Sequence, residues 1–267
     1  MGPNIPNSYE SDNISDSESP DTGSRLTPSV KRQKTDHQTH LTTDQPCTMS
    51  TPSILETFQL EHIPPTHSVH VAVFRDVENA AFLHQQLLAR NADFEYALID
   101  AGVITSRLQV LSAAFKAITA QVAGTMKTPN VHSEMVYALS PASNIAEAYR
   151  RHGITPTSRS LVIVKVLVTP QSSVTESTTT TSAETAGTAD AKAPLTAQDV
   201  EKHLLTHVQG NPLPFTDETI SELTDWGRVR KYYKLNGMGW LDGIKDPVAK
   251  SREMDMLVMG GMALRGV

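Results

Sequence analysis

The stretch "LVIVKVLV", Leu161–Val168, carries one charged residue, Lys165, among eight positions. A strand with one face in water alternates apolar and polar residues, whereas a strand covered on both faces reads as an almost continuous apolar run. Leu161–Val168 is therefore expected to be an interior strand. A sheet covered on both sides needs packed layers to cover it, and the flanking sequence supplies helices to do so.

Working outward, "SVHVAVF" (Ser68–Phe74) alternates with period two and reads as the first strand. Asp76 is the expected N-cap of a helix whose apolar positions are Val77, Ala80, Ala81, His84, Leu87 and Leu88. "FEYALIDAGVI" (Phe94–Ile104) is a second β-rich run. From Ser106 onward, Leu108, Leu111, Phe115, Ile118 and Val122 fall alternately three and four residues apart, up to Gly124. That spacing predicts a helix with a narrow apolar seam, and plain core packing is the expected use of the seam. "VHSEMVYAL" (Val131–Leu139) alternates again and is expected to be a strand that projects His132 and Glu134 from one face. Asn144, with Glu147 three residues on, caps a short helix that Gly153 ends. Downstream, Thr196 with Asp199, Thr216, and Asp246 with Pro247 mark further helix starts. Between the last two, "DWGRVRKYYKL" (Asp225–Leu235) groups Trp226, Val229, Tyr232 and Tyr233 with Arg228, Arg230, Lys231 and Lys234. The order predicts one α/β domain over residues 55–267, with a mixed central sheet of about four strands packed by helices.

Two stretches stand apart. Residues 1–54 are rich in Ser, Asp, Thr, Pro and Asn, with Tyr9 their one aromatic, and are expected to be a disordered tail. Residues 169–194 are a Ser/Thr-rich low-complexity insertion of the same expected kind. Lys31, Arg32 and Lys34 form a candidate nuclear-import cluster in the tail. The single cysteine, Cys47, excludes an intrachain disulfide framework and a Cys-based zinc site. A formal charge of −6 gives no general attraction for nucleic acid, so any such contact must come from a local basic patch. No apolar run approaches the roughly 20 residues of a membrane span, and no signal-peptide pattern opens the chain. A reduced intracellular protein, neither secreted nor membrane-embedded, is expected.

His132-Ser133-Glu134 has the H-x-E form of zinc-dependent deaminases, in which the histidine binds metal and the glutamate moves protons. That chemistry needs a downstream P-C-x-x-C, and no cysteine follows position 47. There is no G-x-S-x-G elbow and no phosphate-cradling glycine loop, and "NGMGWLDG" follows a helix instead of a strand. No catalytic residue, metal or cofactor is expected. His132 and Glu134 are expected to hydrogen-bond across the sheet or to a helix cap. The competing reading is an independent small enzyme with its site around that pair.

Taken together in this order, "FEYALIDAGVI", "KTPNVHSEMVYALSPASNIAEAYRRHGI", "SLVIVKV", "DWGRVRKYYKLNG" and the terminal "MALRG" resemble the PRPK-binding protein family, the small non-catalytic subunit of the KEOPS (EKC) complex. The resemblance runs from about Thr57 to the C-terminus, and its signature is His132, Ser133, Glu134 and Asn144. It implies a single α/β domain that binds the N-terminal lobe of the complex's small atypical kinase, and through it the other subunits. The complex makes N6-threonylcarbamoyladenosine beside the anticodon of tRNAs, and archaeal members also contact the tRNA 3′ end. Links to telomere maintenance and transcription, and a nuclear location with the cytoplasm as a second one, are implied as well. No membrane and no small-molecule substrate are expected. For the kinase interface, the apolar chain end suggests Leu257, Val258, Met262 and Leu264, with Ile145 and Tyr149 of the adjoining short helix. For tRNA, Lys116, Lys127, Arg150 and Arg151 are the candidates.

Overall fold

A computed structural model describes residues 53–169 and 195–265, all within one unit, Met49–Val267. The expected tail with its basic cluster and Cys47, and the expected insertion, lie outside these residues except for positions 53, 54 and 169. In chain order the elements are β1 (Glu56–Phe58), β2 (His67–Arg75), α1 (Ala80–Leu88), β3 (Ala97–Asp100), α2 (Arg107–Val122), α3 (Val131–Leu139) and α4 (Ile145–His152). They continue with β4 (Leu161–Val168), α5 (Ala197–His207), β5 (Asn211–Leu213), α6 (Asp217–Leu223), α7 (Trp226–Tyr232), α8 (Gly239–Asp242) and α9 (Pro247–Ala263).

Among the described residues the sheet has the order β1-β2-β4-β3, and β5 also pairs with β2. The opening stretch is thus an interior strand, with Val71↔Val164 on one side and Leu98↔Ile163 on the other. Every pairing is antiparallel, where a mixed sheet is expected from the sequence. A continuous apolar run reports two covered faces, and it is silent about the direction of the neighbouring strands. Both faces are indeed covered. On one, Val69, Val71, Val73, Ile99, Val162 and Val164 meet α2, α3, α7 and α9. On the other, Ala72, Phe74, Leu98, Leu161 and Ile163 meet Ala80 and Leu83 of α1 and Val200 and Leu204 of α5. Each fully buried large side chain of this kind contributes about 1.5–3 kcal/mol relative to exposure. Lys165, the one charge in β4, reaches out with its Nζ to donate to the Glu95 carbonyl at 2.5 Å, over the Tyr96 ring.

Val131–Leu139 is a helix, not the strand its alternation predicts. Eight of its nine residues are buried, so polar positions do not mark a solvent face and the period carries no information. The usable signal is Asn130, whose side chain accepts from the Ser133 amide as an N-cap. Asp76 does not cap α1. It sits at φ 55°, and the helix begins after Asn79, whose side chain instead holds the end of α5 by donating to the His207 carbonyl and accepting from the Gln209 amide. The caps at Asn144, Thr196, Thr216 and Asp246 form as expected, and Ser106 caps α2.

The seam of α2 also departs from expectation. Its core face is made of Val110, Ala113, Ala114, Ala117 and Ile118, all fully buried, while Leu108, Phe115 and Val122 are 59, 38 and 56% exposed. Small alanines let the helix lie close to α3. Of the expected seam, Ile118 faces the core, and Leu108, Phe115 and Val122 point outward.

Candidate functional site

The H-S-E signature sits where β4 outruns its neighbour. The β3–β4 ladder ends at Ala97↔Val164, so the Val166 amide, two residues further, has no strand partner on that side. His132, buried on α3, supplies one: the Val166 amide donates to its Nε2 at 3.0 Å. A stranded buried amide would otherwise carry the full desolvation penalty. The other ring nitrogen faces Glu95 at 3.9 Å, which is an electrostatic contact and too long for a hydrogen bond. Burial lowers the His132 pKa, against the opposing pull of Glu95, and the neutral ring is the form that can accept from Val166.

Glu134 turns the other way. Its Oε2 accepts from the Lys127 amide at 3.0 Å, the Thr128 amide at 2.9 Å and the Thr128 hydroxyl at 2.6 Å. These bonds tie down the turn that leads into α3. Ser133 closes the N-cap bond with Asn130, and Asn144 accepts from the Glu147 amide to open α4. His132, Glu134 and Asn144 thus use their side chains to hold backbone, and Ser133 gives its amide to the N-cap. The same holds for the other motifs. Asp100 accepts from the Gly102 amide and from Arg228 at 3.1 Å, and a Cβ at Gly102 would stand 3.0 Å from the Arg228 Nη1. Tyr233 donates to the Leu139 carbonyl and accepts from Gln109 Nε2 at 3.0 Å, joining α2, α3 and α7. Arg265, in the terminal motif, donates to the Tyr137 and Ser140 carbonyls and stacks 3.9 Å over the Tyr137 ring.

The proposed partner-facing residues divide. Val258 and Met262 are 0 and 1% exposed and belong to the core, so they cannot offer surface to a kinase. Leu257 is half-buried against that core, whereas Leu264 and Ile145 are exposed. Tyr149 is half-buried and lines a groove of about 760 Å³ between α1, the turn at Ala92–Phe94, the start of α3 and α4. Leu87, Leu88, Phe94, Tyr96 and Ile154 give that groove an apolar and aromatic wall, and Arg90, Asn130, Ser133 and Arg150 give it a polar rim. Sequence reasoning missed the groove because its walls come from three separate segments.

The four basic candidates do not form one patch. Lys116 donates to the Met262 carbonyl at 2.7 Å on the α9 side of α2, away from the groove lining. Arg151 pairs with Glu147 and donates to the Tyr232 carbonyl at 3.2 Å. Arg150 pairs with Glu147 at 2.6 Å on the surface, and Lys127 is exposed two residues before the groove residue Pro129. Among the described residues no group of three or more His, Cys, Asp or Glu could hold a metal, and no helix is long and apolar enough to cross a membrane.

Comparison with known proteins places these features. The family model described as "Kinase binding protein CGI-121" matches residues 74–266. The EKC/KEOPS complex subunit CGI121 of Gibberella zeae is 54% identical over 213 residues, spanning 80% of this chain and 99% of its own length. The subunit of the same name from Neurospora crassa is 45% identical over 215 residues, with 80% and 99% coverage. That of Schizosaccharomyces pombe is 31% identical over 202 residues, with 76% and 95% coverage. The matched span takes in β4, α3, α7 and α9, and this chain belongs to the CGI-121 family of kinase-binding EKC/KEOPS subunits.

Proposed function

We propose that the chain works without catalysis of its own, as the subunit that binds and regulates the small atypical kinase of an EKC/KEOPS complex and helps bring tRNA to the site of N6-threonylcarbamoyladenosine formation. The observation that carries this reading is the use of His132 and Glu134. His132 accepts a strand amide through Nε2 and Glu134 holds a turn through three bonds to Oε2, so both side chains serve the fold. Titrating the purified full chain with the kinase should give a stable complex. An absence of binding at micromolar concentrations overturns the reading.

The groove beside α4 supports the tRNA part. Its half-buried Tyr149 offers a ring edge and face to a base of a single strand, which stacks without sequence readout. A polar recess of about 450 Å³ shares Arg150 and Thr155 with the groove and adds the exposed Arg159, which suits a phosphate, while its Arg228 is paired with Asp100. Lys127→Glu/Arg150→Glu is expected to weaken tRNA binding by the assembled complex about tenfold and to lower its salt slope by about two. Trimming the 3′ end should weaken binding by the wild type and add little in the double variant. Equal affinity in all four combinations removes the tRNA role and leaves the kinase role standing.

A further inference from the structure

Two histidines, His203 and His207, stand one turn apart at the end of α5, with ring centroids 4.4 Å apart and ring planes inclined by 47°. Positions four apart share a helix face, so the two rings can serve one ligand. Aromatic contacts hold both rings in place. Phe94 packs edge-on against His203 at 4.9 Å and against His207 at 5.1 Å, and Tyr96 stacks beside His203 with its hydroxyl 2.9 Å from Nδ1. Among the described residues, Nε2 of His203 and both ring nitrogens of His207 have no hydrogen-bond partner, and none of the three is sealed from solvent. Both residues are half-buried, so the nitrogens that could bind lie at the surface on rings that are fixed from below.

An imidazole that binds a metal through one nitrogen hands the proton on its other nitrogen to a fixed acceptor, which sets the tautomer and the ring orientation. Tyr96 supplies that acceptor to His203. Burial pushes the Tyr96 pKa up to about 12, so it stays a neutral phenol, and its oxygen can accept from Nδ1–H and leave Nε2 to bind. Burial, and after it the adjacent His207, lower the His203 pKa against the pull of Asp93, with Lys165 acting in the same direction as burial. The ring is therefore neutral at pH 7, which is the ligating form. Two imidazoles that share a tetrahedral ion at about 2.1 Å carry centroids about 5 Å apart, and a small ring rotation separates that from the spacing found here. We propose that His203 and His207 form a two-imidazole site for a divalent transition-metal ion of the Zn(II) kind, with water in the remaining coordination positions. Imidazole suits Zn(II), Ni(II) and Cu(II), and not the oxygen-seeking Mg(II). The ion cross-links two turns at the end of α5, where the His207 carbonyl already accepts from Asn79.

The test is the thermal transition of the full chain at pH 7.5 as ZnCl2 is added, because only an ion bound to the folded domain raises it. At about ten times the dissociation constant, Zn(II) should raise the transition by about 4 °C, and MgCl2 at the same concentration should not move it. His203→Gln and His207→Gln should each weaken Zn(II) binding at least tenfold, since one imidazole cannot chelate. Tyr96→Phe, which keeps the ring and removes only the acceptor oxygen, should weaken it about tenfold. His62→Asn, a change at an exposed histidine elsewhere whose φ of 62° suits Asn, should leave the shift as it is. Variants that melt like the wild type without metal and lose the shift with it support the site. A shift as large in the His203→Gln/His207→Gln double variant as in the wild type, no shift in the wild type, or an equal shift with MgCl2 overturns it. Undiminished affinity in Tyr96→Phe overturns the role given to Tyr96.

Discussion

Glu134→Ala is expected to cost the folded domain about 3–5 kcal/mol, read as a loss of urea or thermal stability. Glu134 is 6% exposed, and removing its carboxylate strands the Lys127 and Thr128 amides, while the Thr128 hydroxyl keeps the Asn130 carbonyl as an acceptor at 3.1 Å. Each buried donor left unpaired costs about 1–3 kcal/mol, and partial relaxation of the turn returns some of it. Glu134→Gln keeps an acceptor oxygen and should cost less than half as much. A catalytic glutamate predicts the reverse pattern, with stability almost unchanged and an activity lost in both variants. Unaltered stability of Glu134→Ala would remove the physical basis for treating the signature as structural.

Acid should destabilise the domain through His152 in particular. Its ring is fully buried at the end of α4, about 6 Å from the ring centroids of both Tyr232 and Tyr233, and burial lowers its pKa to about 4. The nearby cations of Arg151, Arg228 and Arg265 push the same way, against the pull of the Ala148 backbone. The unfolded chain binds this proton near pH 6.5 and the folded chain resists it until about 4. The stabilisation is therefore complete above pH 6.5 and is lost as pH falls through that window, by about 3 kcal/mol in all. His132 adds to the trend in the same direction. Replacing His152 with Phe should flatten the stability profile between pH 6.5 and 4. An unchanged slope would mean that the loss of stability in acid arises elsewhere.

Much of this fold is written in short-range signals, and those were legible. Helix starts depend on one side chain bonding an amide two or three residues on, so Asn144, Thr196, Thr216 and Asp246 could be read directly. The two long strands could be read as well, because Ser68–Phe74 alternates and Leu161–Val168 does not. Strand direction was not legible, since it depends on pairing across long separations such as Val71 with Val164. Alternation failed at Val131–Leu139 because a helix buried on nearly every side has no polar face to give it away. On α2 the spacing established an apolar stripe without saying which way it faced. The alanines at 113, 114 and 117 were the available clue, since a close-packed helix needs small residues on its inner face. The groove beside α4 had no local signature at all, being assembled from segments around Leu87, Phe94, Asn130 and Tyr149.

The central claim is that this chain contributes to its complex by occupying a place and not by turning over. Titrating the full chain into an EKC/KEOPS assembly that lacks this subunit, while following formation of the modified adenosine in tRNA, tests it most directly. Activity should rise in proportion to the chain added and saturate at one equivalent per kinase, and Glu134→Gln should restore the same plateau at a temperature where it is folded. Full restoration by a small fraction of an equivalent, or a plateau abolished by Glu134→Gln in a folded protein, would contradict the account.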